Sequence, residues 1–251
     1  MSRTLKLFAA LCLFFLPAYA QNSANLDLRG HVQKLRIYGV PGNPPIILSS
    51  GDLGWSGLVV HVAEFLEKKG YFVIGLDSKD YLSGFTDRKS TLSPDSVPGD
   101  YLALIEHAKR SGPGSPILAG ISEGAGLSVL AATDPKVKQT VRGILALGLP
   151  DWSELAWRWE DFTLWITKKN PKEPGFQVSD IIGRVSPVPL AEIHSTHDEF
   201  LPLEKAKSMI ASAGEPKRMW VIEAENHRFS NAREDLDRTI LEALAWIVQP
   251  R

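Results

Sequence analysis

Short continuous apolar runs alternate along the chain with segments whose apolar residues recur every three or four positions. The runs are Leu35–Tyr38, Pro45–Ser50, Tyr71–Leu76, Pro116–Ala119, Ile144–Leu147, Pro189–His194 and Met219–Glu223. Each reads as a strand, and the continuous apolar run Pro45–Ser50 reads as a buried one. Between them, Leu58–Lys69 places Leu58, Val59, Val62, Phe65 and Leu66 at helical spacing, and Gly70 ends the segment. Asp100–Arg110 does the same with Tyr101, Leu104, Ile105 and Ala108. Ser122–Ala132, Leu203–Ala211 and Ala232–Val248 complete the predicted helices. Strands alternating with helices of about a dozen residues predict an α/β fold, a mostly parallel sheet of about seven strands with helices on both faces.

One stretch interrupts this alternation. The segment 151–186 holds Trp152, Trp157, Trp159 and Trp165, four of the seven tryptophans, together with Pro171 and Pro174. It reads as an insertion, either a packed surface subdomain or a lid lining a binding cleft, since Trp suits surfaces apolar on one side and wet on the other. Trp152 and Trp157 are therefore candidate substrate contacts.

The beginning of the chain follows a different pattern. Arg3 and Lys6 precede an apolar run from Leu7 to Leu16, Pro17 breaks it, and Ala18-Tyr19-Ala20 follows. This is the form of a secretory signal cleaved after Ala20, the alternative being an uncleaved anchor. Leu11 stands where a lipoprotein signal needs a small residue before Cys12. The expected division is a signal peptide over 1–20 and a single domain over 21–251, periplasmic or secreted.

Composition changes the picture in two ways. The full chain has 251 residues and net charge −1, from 28 basic and 29 acidic residues. Losing Arg3 and Lys6 leaves 26 basic residues and a net charge of −3, without the basic excess of a nucleic-acid binder. The single Cys, Cys12, would leave with the signal. One cysteine excludes a disulfide scaffold, a Cys-based zinc site and an iron–sulfur cluster, and it leaves no thiol nucleophile in the mature chain.

Gly120-Ile121-Ser122-Glu123-Gly124 is a G-x-S-x-G that directly follows a predicted strand and opens a small-residue helix. A nucleophile elbow needs that placement: Ser122 would sit on a strained turn, and the flanking glycines avoid clashes. An unactivated serine is a weak nucleophile, so a base and an orienting acid must follow it in the chain. The loop after Pro189–His194 offers Asp198, with Glu199 as the alternative acid, and the loop after Met219–Glu223 offers His227 as the base. His31, His61 and His107 precede Ser122 on segments that do not end at the carboxyl edge of the sheet. His194 and His197 flank the acid loop, but no metal site is expected from them, and no cofactor is required. The glycine-rich turn Ser49–Trp55 follows an early strand. Its Asp52 N–H, with Leu53 second, is the expected partner of the Glu123 N–H in an oxyanion hole.

The runs SSGDLGW, YFVIGLDSKDYL, GISEGAG, STHDEFLP and AENHRFS together resemble the periplasmic AcvB/VirJ family of the α/β-hydrolase superfamily. The resemblance spans about Gly39 to Ile247. It implies a serine hydrolase in which Ser122, Asp198 and His227 form the triad. It also implies roles associated with that family: hydrolysis of lysyl-phosphatidylglycerol, and type IV secretion and virulence. The implied partners are a small-molecule or lipid ester, peripheral membrane contact and a secretion-system partner. Asp52, Asp77 and Glu123 lie at strand ends or on the elbow, where acidic groups would suit a cationic aminoacyl head, and Trp55 is a further candidate contact. Rival readings are a general carboxylesterase or peptidase of the same fold, or a non-catalytic binding protein that uses the Trp-rich insertion.

Overall fold

The structure is a computed structural model that describes residues 22–158 and 174–250. The signal-like segment 1–20, with Cys12, lies outside the described residues, as do Trp159, Trp165 and Pro171 of the insertion. Among the described residues, no helix is long and apolar enough to cross a membrane.

Among the described residues, ten strands form in chain order. β1 (Asn22–Leu28), β2 (His31–Tyr38), β3 (Pro45–Ser49), β4 (Phe72–Leu76), β5 (Ile117–Ile121), β6 (Gly143–Leu147), β9 (Leu190–Ser195) and β10 (Lys217–Ile222) build one sheet. Its order is β1-β2-β4-β3-β5-β6-β9-β10. Only β2 runs against its neighbours; the strands from β4 to β10 are mutually parallel. With an early antiparallel strand and the β4-β3 crossover, this is the α/β-hydrolase arrangement. β7 (Trp152–Glu154) and β8 (Gly175–Gln177) pair separately as a two-stranded ladder at the base of the insertion.

The central strands β3, β4, β5, β6 and β9 are buried at every position, so all but β9, which carries Glu192 and His194, read as nearly continuous apolar runs. Two cores result, one on each face. α1 (Leu58–Lys68) and α8 (Arg233–Ile247) cover one through Val62, Leu66, Leu236, Ile240 and Leu244. α2 (Ser78–Phe85), α3 (Val97–Ser111), α4 (Glu123–Ala131), α5 (Pro135–Thr140), α6 (Val178–Ile181) and α7 (Leu203–Ser212) lie over the other, through residues such as Tyr81, Tyr101, Leu127 and Met209.

Outside the insertion, where β7, β8 and α6 form, three elements differ from the expectation. β1 is an additional strand, because its alternation of exposed and part-buried positions gives no continuous apolar run. A turn at Arg29 (φ 56°) and Gly30 (φ 87°) folds it onto β2, and two successive positive φ values suit a tight hairpin. α2 and α5 form where no helix is expected from apolar spacing. Each begins at an aspartate cap: Asp77 accepts from the Asp80 amide, and Asp134 from the Lys136 and Val137 amides.

Candidate active site

β5 carries the chain into Ser122, whose φ of 51° and ψ of −118° place it in the left-handed half of backbone space. An L-residue is rarely held there, and the surroundings show what holds it. The Ser122 amide donates to the Leu147 carbonyl on β6 at 2.9 Å, and its carbonyl accepts from the Ala125 amide at 2.8 Å. A Cβ on Gly120 would lie 2.2 Å from the Gly124 carbonyl oxygen, and one on Gly124 would lie 2.4 Å from the carbonyl oxygens of Ser49 and Ser50. The two glycines of the G-x-S-x-G thus exist because backbone fills the space their side chains would need.

The acid and base come from the loops after β9 and β10. Asp198 Oδ2 lies 2.6 Å from His227 Nδ1, both residues being buried. Asp198 Oδ1 accepts from the amides of Phe200 and Leu201, at 2.8 and 3.0 Å. Burial alone would raise the Asp198 carboxyl. The bond to His227 and its charge, with the two amides, outweigh burial and hold it below the ordinary aspartate range. Glu199, the alternative acid, accepts from the His227 amide at 2.7 Å and does not touch the ring. Gly148, with φ of 60°, floors the imidazole: a Cβ there would lie 2.5 Å from His227 Cε1. The Phe200 ring meets it edge-on at 5.0 Å. His227 Nε2 is buried and has no hydrogen-bond partner among the described residues. It is the free end of an oriented acid–base pair. Sequence reasoning did not single out Gly148 or Phe200; the only signals were a glycine after a buried strand and an aromatic beside the acid.

The turn after β3 adjoins the elbow. A Cβ on Gly51 would lie 3.6 Å from Ser122 Cβ. Among the described residues, the amides of Asp52, Leu53 and Glu123 donate to no backbone acceptor outside regular elements. Glu123 opens α4, so the field of the helix N-terminus adds to its free amide. This turn therefore offers unspent N–H donors beside Ser122, as an oxyanion site requires.

The structure corrects four expectations about side chains. The Glu123 carboxyl does not line an open cleft. It is buried and hydrogen-bonded to the Ser153 hydroxyl of β7, and burial pushes it up to about 8. Asp77 is spent as the cap of α2 and as the acceptor of the Trp55 amide at 3.1 Å, and burial raises its carboxyl. Trp55 packs flat over Gly75 of β4, and its indole N–H donates to Tyr38 Oη at 2.9 Å. Trp157 packs against the core beside α2, its ring 4.4 Å from Lys79 Nζ. Of the four contact candidates, Trp152 remains exposed, lying over Gly175 of β8. His194 and His197 do not converge: His194 is buried, and His197 turns outward with Nδ1 3.0 Å from the Ala224 carbonyl.

The profile of the bacterial virulence protein VirJ matches residues 45–246. The chain belongs to the VirJ family. No curated protein matches it in sequence. Among solved structures, this VirJ-family chain is similar to Est1E from Butyrivibrio proteoclasticus, with a TM-score of 0.63 and 16% identity over 89% of this chain and 99% of that one. It is also similar to DcsB in complex with a substrate analogue, with a TM-score of 0.70 and 16% identity over 91% and 99%. A membrane phospholipase A described as a bacterial virulence factor gives 0.66 and 13% identity over 92% and 87%. At these identities the likeness establishes the α/β-hydrolase fold of this VirJ-family protein.

Proposed function

We propose that this VirJ-family protein is a serine hydrolase that cleaves a carboxylic ester through Ser122, His227 and Asp198. The observation that carries the reading is the buried Asp198–His227 pair, 2.6 Å apart, whose outer nitrogen Nε2 is unspent. Ser122 Oγ attacks the ester carbonyl carbon while His227 Nε2 takes its proton. The resulting oxyanion is held by the amides of Glu123 and Asp52, with Leu53 in reserve. The tetrahedral intermediate collapses, His227 returns the proton to the departing alkoxide, and an acyl–Ser122 ester remains. Water then attacks that ester, giving a proton to Nε2; the second collapse releases the acid and restores the Ser122 hydroxyl. Nε2, with no partner among the described residues, fits a pair that tightens around substrate.

For the substrate, we propose the aminoacyl ester of a phospholipid such as lysyl-phosphatidylglycerol, met outside the cytoplasm after export by the signal-like segment. Support comes from family membership and from the neighbouring structure described as a virulence phospholipase. Leu53 and Phe200, each about half exposed beside the oxyanion turn and His227, give the site an apolar rim suited to acyl chains. With Glu123 and Asp77 spent internally, Asp52 is the acidic group left in the open for a cationic head. The test is hydrolysis of a short p-nitrophenyl ester and of lysyl-phosphatidylglycerol vesicles. The wild type is expected to cleave both and Ser122→Ala neither. Cleavage of the simple ester alone would retain the hydrolase and remove the lipid.

A further inference from the structure

β9 lies against the apolar core over α4 and α7, yet two of its residues on that face, Glu192 and His194, are ionisable and fully buried. They are two positions apart, so both point the same way. Glu192 Oε1 accepts from the Leu149 amide at 3.0 Å and lies 3.2 Å from His194 Nδ1. His194 Nε2 lies 2.9 Å from the Leu201 carbonyl and 3.8 Å from Asp198 Oδ2. Each contact ends on a part of the site. Leu149 follows Gly148, the floor of His227, and the Leu201 amide is one of the donors that hold Asp198. Glu192 Oε2 has no partner among the described residues. A buried polar group is rarely left so unless something else retains it.

We propose that Glu192 and His194 form a buried carboxylate–imidazolium pair that positions the Asp198–His227 pair and sets its charge; this rests on the hydrolase reading. A carbonyl can only accept, so His194 Nε2 carries a proton toward Leu201. One proton is shared between Glu192 Oε1 and His194 Nδ1, and in the proposed pair it sits on Nδ1. A proton on Oε2 would have no acceptor. His194 is thereby cationic beside the Asp198 carboxylate. At His194 burial acts downward, but the bond to Glu192 and its charge outweigh it and raise the imidazole, which favours the cation; burial also raises Glu192, so the pair stands on the contact geometry. Among the described residues, the charged groups facing His194 are Glu192 on its own strand and Asp198 on the following loop, with His227 beyond Asp198. A cation 3.8 Å behind Asp198 adds a charge to the catalytic pair.

Nitrogen-15 NMR of histidine-labelled wild type tests the pair directly and needs no activity. At neutral pH both ring nitrogens of His194 are expected to be protonated; a neutral single-tautomer ring overturns the proposal. Glu192→Gln, checked for folding by circular dichroism, tests its effect on a p-nitrophenyl ester. We expect kcat to fall on the order of tenfold with KM unchanged. The acid limb of kcat/KM should move up by about one pH unit, because the charge behind the Asp198–His227 pair is lost. An unmoved limb overturns the proposal whatever happens to kcat. If wild type shows no hydrolysis at all, the hydrolase reading fails while the NMR result still decides the pair.

Discussion

At the scale of the residue, the site depends on groups whose environment overrides their ordinary chemistry. Ser122 is held at positive φ by backbone packed against the flanking glycines, so its strain is set by close contacts and not by its own preference. Glu123 shows the opposite division of labour within one residue: its amide is the proposed oxyanion donor, while its carboxyl is buried on Ser153. Burial pushes that carboxyl from an ordinary 4.5 up to about 8. Its folded-state value is raised, so the native state binds a proton the unfolded chain has released. The stability linked to it is therefore full below about 4.5 and is lost as pH rises through about 8. Thermal melts across that window should show wild type losing stability with rising pH and Glu123→Gln showing a flatter slope. Parallel slopes would mean that the carboxyl is not buried as described.

At the scale of the element, the strands and helices were legible where one physical cause dominates. Four of the five central strands, β3, β4, β5 and β6, are buried on both faces and announce themselves as apolar runs. The elbow was legible because a strand, a G-x-S-x-G and a small-residue helix occur in order. β1 was not, because an edge hairpin needs only alternate positions buried, and its stability comes from elsewhere. Part of that source is Asp100 of α3, buried, which accepts two bonds from Arg29 at 2.8 and 2.7 Å and one from Tyr81 Oη at 2.6 Å. Arg29 also stacks on Phe85, 3.9 Å from its ring centre. Asp100→Asn keeps the shape but loses the charge that pins the hairpin turn. A loss of about 1–3 kcal/mol in urea unfolding is expected, with the esterase rate retained in the folded protein. Glu192 and His194 were visible as polar residues inside a buried strand, but their meaning depends on Leu149 and Leu201, which only the fold brings beside them.

At the scale of the whole molecule, the sheet delivers the three proposed catalytic groups from β5, β9 and β10 to one carboxyl edge. β6, between β5 and β9, supplies both the acceptor for the Ser122 amide and, just past its end, the glycine under His227. The order Ser122, Asp198, His227 could be read in advance because parallel strands all end at the same edge. Which side chains line the cleft could not, since the same loop residue can face out, as Asp52 does, or cap a helix, as Asp77 does. The central claim is that this arrangement makes Ser122 a nucleophile. Its most direct test is reaction of the folded protein with a fluorophosphonate probe, followed by mass spectrometry of the labelled peptide. The account predicts one adduct, on Ser122, abolished in Ser122→Ala and strongly slowed in His227→Ala. A folded wild type that takes up no probe, or an adduct on any other residue, would contradict it.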